Sequence, residues 1–137
     1  MEHISKYILE YIKDRKGHLE NTHVVEVGVG HYLKVAKTLR DHGLDVTVID
    51  VKRDVVERAR REGLKGQLDD IFNPRLKIYR YADLLYSIRP PRDLQYQLLR
   101  LSREYRVPLI VRPLSGEFPV EGLKLINYRG EVLYLHD

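Results

Sequence analysis

The sequence has no cysteine and no tryptophan, a single methionine, and Lys+Arg that outnumber Asp+Glu only by 24 to 20. Without cysteine there is neither a disulfide framework nor a thiolate metal site. The six histidines show no ligand spacing with carboxylates, so no metal is expected. No uncharged apolar run approaches the ~18 residues that a membrane span needs. The opening residues, Met1 to Lys6, lack an apolar signal core, which makes the cytoplasm the expected location. Repeats, low-complexity tracts and a dividing linker are missing too. The net charge of +4 is too small, and the 43% hydrophobic content too high, for a disordered chain. A pI near 9.3 permits nucleic-acid contact, but so small a charge spread over a domain signals it only weakly. What is present is one domain's worth of chain, residues 1–137, with residues 1–17 as an N-terminal helix packed on it. Its abundance of charge, without cysteine, follows the thermophile tendency towards surface ion-pair networks.

Apolar spacing supplies the elements. Ile4, Tyr7, Ile8, Tyr11 and Ile12 keep helical period, and Gly17 ends that helix. Thr22–Val27 is a β-branched run closed by Gly28. Leu33, Val35, Ala36 and Leu39 give a second helix its apolar side, and Val46–Ile49 form the next strand. Val51, Val55, Val56 and Ala59 mark a helix ending at Gly63. Residues 64–81 are irregular: Leu68–Phe72 fits either a short strand or a helical turn, and Lys77–Tyr79 a few extended residues. Ala82–Ile88 reads as a buried strand. Leu94, Leu98, Leu101 and Tyr105 line a helix that starts after Pro91. Val107–Val111 is a further strand, and Leu123–Tyr128 and Glu131–Leu135 flank Arg129-Gly130 as an antiparallel hairpin. This alternation predicts an α/β fold: a doubly wound, mostly parallel sheet with a C-terminal antiparallel hairpin.

The most informative stretch is Glu26-Val27-Gly28-Val29-Gly30-His31-Tyr32, a buried strand running through two alternate glycines into a helix. Gly28 permits a tight turn, and Gly30 lets a ligand approach bare backbone. Asp50, at the end of the next strand, stands where a carboxylate can accept bonds from ribose hydroxyls; it can equally cap the helix beginning near Val51. A dinucleotide fingerprint would need its third glycine at Leu33, and a pyrophosphate would be repelled by Glu26. S-adenosylmethionine carries a sulfonium and an ammonium and no phosphate, so an acid beside the turn suits it better. Glu26 could also serve by bonding N–H groups of the loop.

Glu26-Val27-Gly28-Val29-Gly30 resembles the first motif of class I S-adenosylmethionine-dependent methyltransferases, and Asp50 is similar to their acid after the second strand. Asp69-Asp70-Ile71-Phe72 resembles the segment after their third strand, which implies Asp70 for the adenine amino group and Ile71 for packing on the ring. Asp70-Ile71-Phe72-Asn73-Pro74, Tyr86 to Pro91 and Val111-Arg112-Pro113-Leu114 together resemble an uncharacterised, mostly archaeal family of short proteins with a methyltransferase-like, Rossmann-like fold. Two departures stand out: Tyr32 replaces a glycine common in methyltransferases, and the usual substrate-recognising insertions are missing.

Ser87-Ile88-Arg89-Pro90-Pro91 leaves the strand expected beside the first and faces the ligand crevice. It is similar in place to the Asn/Asp-Pro-Pro-Tyr segment of amino-directed methyltransferases, although only the prolines match. Ser87, Arg89 and Pro90 are thus the candidate acceptor-side residues, with the Arg89 fork suited to a phosphate or carboxylate. Alternatively, the prolines simply start a helix and Arg89 faces water. No acid/base or nucleophile set accompanies them, and methyl transfer need not use one, since alignment supplies much of the rate. The resemblance implies an S-adenosylmethionine-binding domain, with methyl transfer to a nucleotide or RNA as its activity. The alternatives are a non-catalytic binding or assembly module on the same fold and, disfavoured by Glu26 and Leu33, a nicotinamide-dinucleotide binder.

Overall fold

The computed structural model describes residues 3–137; Met1 and Glu2, the first residues of the expected N-terminal segment, lie outside them. The chain runs α1 (Ile4–Lys16), β1 (His23–Val27), α2 (Lys34–Asp41), β2 (Asp45–Asp50), α3 (Arg53–Arg61), β3 (Lys65–Leu68), α4 (Ile78–Tyr81), β4 (Leu84–Ile88), α5 (Arg92–Tyr105), β5 (Leu109–Arg112), β6 (Lys124–Tyr128) and β7 (Glu131–His136). The strands form one sheet in the order β3-β2-β1-β4-β5-β7-β6. β1 to β5 are parallel, and β7 runs antiparallel to both β5 and β6. The doubly wound sheet and its terminal hairpin are therefore both present. The hairpin turns at Arg129 and Gly130, both with positive φ (53° and 83°), which matches the right-handed twist of the strands it joins.

Strand β1 is buried on both faces because helices cover both. Val24 belongs to the core beneath α1, α2 and α3, with Ile4, Ile8, Val35, Leu39 and Val55. Val25 and Val27 join the opposite core under α4 and α5, with Tyr79, Leu98 and Leu101. Ile4, Ile8 and Ile12 recur at one-turn spacing on the buried side of α1, whose end is fixed by Gly17 (φ +80°) donating its N–H to the Lys13 carbonyl.

Three local expectations are corrected. The third strand is Lys65–Leu68, ending where Leu68–Phe72 was expected to begin. Only Gly66 of that strand is buried. A Cβ there would sit 3.0 Å from the Val56 carbonyl, so the contact with α3 is made by a residue with no side chain and leaves no apolar pattern. Lys77–Tyr79 is not extended; Ile78–Tyr81 form a short helix that buries Tyr79. Val51 is no helix-face residue: it precedes α3 and is 61% exposed.

Chain order reverses between β1 and β4, since β2 and β3 lie on one side of β1 and β4 and β5 on the other. At such a switch the connecting helices leave on opposite faces and a crevice opens outside the strand ends.

Candidate functional site

The glycine turn sits on that crevice. Gly28 and Gly30 have φ of +69° and +60°, a region closed to most side chains. The turn is tied to the end of β2: the N–H groups of Gly28 and Val29 both donate to the Ile49 carbonyl (2.8 and 3.1 Å), and that of Gly30 donates to Asp50 Oδ2 (3.0 Å). Asp50 Oδ1 accepts from the Lys52 N–H at 3.0 Å. One carboxylate thus fixes both the turn and the entry to α3. Two of its roughly four acceptor positions are used, and it remains partly exposed. From α3, Arg58 donates to the His31 carbonyl (3.2 Å) and approaches His31 Nδ1 (3.3 Å). A guanidinium only donates, so that nitrogen is the acceptor and His31 is a clamp point of the loop. Tyr32 is 37% exposed, so its bulk turns outward.

Glu26 lies beneath the turn, fully buried, on the sheet face shared with Val24, and neither carboxylate oxygen has a hydrogen-bond partner. Its neighbour across the parallel register is Tyr86, whose hydroxyl is equally buried and without a bonded partner. Burial drives the Glu26 pKa up to about 8, with the Tyr86 hydroxyl as the opposing influence. Burial and the facing Glu26 together push the Tyr86 phenol well above its ordinary value. The alternative in which Glu26 bonds loop N–H groups is not what the geometry shows.

Beside the turn, at the ends of β2 and β3, a cavity of about 320 Å³ is lined by Val51, Leu68, Asp69, Asp70, Asn73 and Arg75. Two of these, Val51 and Leu68, are apolar yet 61% and 39% exposed, bare apolar surface beside an acid. The two adjacent aspartates divide their work. Asp69 is buried and accepts the N–H groups of Arg75 and Leu76 and the Tyr79 hydroxyl (2.6 Å), organising the loop. Asp70 is exposed; its carboxylate accepts the Phe72 N–H through Oδ1 at 3.0 Å, and its carbonyl accepts that of Asn73. Ile71 is turned inward, 3% exposed, into the core under α4 and α5. The apolar surface at this cavity belongs to Val51 and Leu68, which the sequence reading missed. The signal for Val51 was its place directly after Asp50.

Across the switch, Ser87 is fully buried and its hydroxyl donates to the Val27 carbonyl at 2.7 Å, strapping the end of β4 to the residue before the turn. Replacing it with alanine orphans that buried acceptor and is expected to cost about 1–2 kcal/mol of stability. Urea unfolding of Ser87→Ala measures this, and a midpoint equal to the wild type's would show the strap idle. Arg89 is exposed, with φ +52°, and its N–H donates to the Arg112 carbonyl (2.6 Å); Pro90 is buried. Gln95, fully buried on α5, donates to the Pro90 carbonyl (3.2 Å) and to Glu117 (3.1 Å), joining the loops after β4 and β5. A cleft of about 500 Å³ continues along the same edge, between the loop at 113–117 and the 129–130 turn. Among the described residues no group of three or more His, Asp or Glu side chains gathers as a metal site, and no helix is long and apolar enough to cross a membrane.

Comparison with known proteins gives one family: the uncharacterised protein family UPF0146 matches residues 7–137. A UPF0146 protein of Methanocaldococcus jannaschii is 42% identical over 132 residues, covering 96% of both chains. One from Pyrococcus horikoshii is 48% identical over 111 residues, 81% of this chain and 85% of that protein. Among solved structures, an RNA methyltransferase from Salinibacter ruber in complex with S-adenosyl-L-homocysteine superposes with a TM-score of 0.65 at 17% identity, over 96% of this chain and 90% of that one. Magnesium protoporphyrin IX methyltransferase from Synechocystis, with S-adenosylmethionine bound, gives 0.64 at 12% identity, over 97% and 76%. The fold is methyltransferase-like.

Proposed function

We propose a function for the uncharacterised UPF0146 family, to which this chain belongs: binding of S-adenosylmethionine at the carboxyl edge of the sheet, for methyl transfer to a nucleotide or RNA. The observation that carries this reading is the cavity beside the glycine turn, where bare Val51 and Leu68 flank Asp70. An adenine ring would cover the apolar surface, and Asp70 Oδ2 would accept its amino group. Asp50 keeps acceptor capacity for ribose hydroxyls while holding the turn. Gly28 and Gly30 bring bare backbone to the ligand. Buried Glu26, with two unsatisfied oxygens, would give up its proton to a cation docked above it and then supply negative charge beneath the cationic end. Ile71 acts from behind, packing the loop that carries Asp70.

The solved neighbours that hold S-adenosylmethionine or S-adenosylhomocysteine lend the reading support from the fold. The turn itself argues against a dinucleotide. Pyrophosphate binding needs free N–H groups at the first turn, and those of Gly28, Val29 and Gly30 are already bonded to Ile49 and Asp50. When bound, the sulfonium would supply an electrophilic methyl group. The chain's own task is to hold donor and acceptor in line. Arg89 and Pro90 frame the acceptor side, Ser87 fixes the β4 end against the turn, and the cleft along the edge leaves room for a nucleotide-sized acceptor.

The test is an amide chemical-shift titration of the full chain with S-adenosylmethionine, S-adenosylhomocysteine and oxidised nicotinamide dinucleotide. Shifts centred on Gly28, Gly30, Val51 and Asp70 are expected with the first two and not with the third. Silence with the first two, or a response confined to the dinucleotide, would overturn the assignment and leave a binding or assembly module on the same fold.

A further inference from the structure

A second cleft, of about 420 Å³, opens at the opposite pole of the sheet, where β5 begins and β7 ends. The last turn of α1 contributes Arg15 to its wall, the last turn of α5 contributes Arg103, and Arg106 and His136 complete it. Asp137 is the one acid among the lining residues; it lies 3.9 Å from the Arg15 guanidinium and accepts the Tyr11 hydroxyl. Among the described residues, neither Arg103 nor Arg106 has an ion-pair partner. Basic residues at helix carboxyl ends ordinarily offset the helix dipole, which accounts for Arg15 and Arg103 on their own helices. Arg106, the residue that caps α5, adds a third positive charge there and takes φ +55°. Glycine fits that position without strain, and this chain puts a guanidinium there instead.

The wall is also built. Ser102 is fully buried, its hydroxyl 2.5 Å from the Val107 carbonyl and 2.8 Å from His136 Nδ1. The carbonyl can only accept, so the single hydroxyl proton goes to it and Nδ1 must be the protonated nitrogen. The imidazole is thereby held in one orientation in the cleft wall.

We propose that this cleft binds a phosphate group. Arg106 and Arg103, whose guanidinium lies against Gly122, both keep their charge free of an ion pair at this cleft, and the planar forks match phosphate oxygens. Strands of four to six residues separate the cleft from the glycine turn, a distance of about 15–20 Å. The bound phosphate is therefore remote from the methyl-transfer edge, and the site stands whether or not that edge binds S-adenosylmethionine. A free nucleotide and an RNA backbone both offer this group.

Calorimetric titration of the full chain at about 50 mM salt, with inorganic phosphate, adenosine monophosphate and a single-stranded oligoribonucleotide of about ten nucleotides, tests the proposal. At least one probe should bind, and the double variant Arg103→Gln/Arg106→Gly should weaken it by about tenfold or more. Both positions are exposed, and the gain from glycine at the Arg106 backbone offsets the helix-end charge lost with Arg103, so the variant is expected to melt close to the wild type. Arg61→Gln, on the exposed side of α3, should bind as the wild type does. Equal affinity for the monophosphate and the oligonucleotide identifies a free nucleotide. Tighter oligonucleotide binding, with a salt slope that falls by about 1.4 on loss of the two arginines, identifies an RNA strand. No binding of any probe, undiminished binding by the double variant, or an equal loss in Arg61→Gln would overturn it.

Discussion

Glu26→Gln is expected to make the protein more stable than the wild type in alkaline solution and to leave it nearly unchanged near pH 4.5. In the folded chain the Glu26 carboxyl titrates at about 8 because burial disfavours its charge, against 4.5 ordinarily. Between those values the native state keeps a proton that the unfolded state has lost, so stability falls as pH rises across the interval and levels off above it. At about 1.4 kcal/mol per pH unit, the wild type gives up several kcal/mol that glutamine, which does not titrate, retains. Urea unfolding of both proteins at pH 5, 7 and 9 measures the gap. A gap that stays constant with pH would mean that Glu26 is already ionised in the folded protein. The same residue predicts the ligand response. A cation docked above Glu26 favours the carboxylate, so S-adenosylmethionine should bind the wild type more tightly as pH rises from about 6 to 8 and release a proton as it binds. Calorimetry in two buffers of different ionisation enthalpy counts that proton. Glu26→Gln should bind more weakly with no such dependence.

The parts of this architecture that announce themselves in sequence are those where burial forces a pattern. β1 and β2 are covered on both faces and so read as runs rich in β-branched residues, and Gly28 and Gly30 follow β1 where the backbone needs positive φ. β3 is hidden for the opposite reason: it is an edge strand whose one buried residue is Gly66. Adjacent aspartates look interchangeable in a sequence. Only the folded loop shows Asp69 saturated by Arg75, Leu76 and Tyr79, with Asp70 facing outward. Ser87 was legible as a residue at the crevice but not as a strap, because its partner, the Val27 carbonyl, is 60 residues away. The unpaired arginines of the far pole come from α5 and the turn after it, and meet Arg15 only once α1 packs against the sheet.

Asp50→Ala should give the largest loss of ligand affinity among single substitutions that leave the core intact. Three demands meet on that carboxylate: the Gly30 N–H, the Lys52 N–H and, in the proposed complex, the ribose hydroxyls. Alanine removes both acceptor oxygens and so all three interactions, and the N–H groups it strands border a partly open edge where water can reach them. The stability cost is then about 1 kcal/mol. Affinity for S-adenosylmethionine should fall by about 1–3 kcal/mol, as when a polar partner of a bound ligand is deleted, with further loss if the turn loosens. Asp50→Asn separates these contributions. It keeps one acceptor oxygen, enough for Gly30 or Lys52 but not for the whole set, so its stability should lie near the wild type's while its affinity falls between those of wild type and Asp50→Ala. Thermal melts paired with calorimetry on the three proteins decide the matter. If Asp50→Ala binds S-adenosylmethionine as tightly as the wild type, Asp50 serves only to hold the turn and the start of α3, and the ribose end of the proposed site is lost.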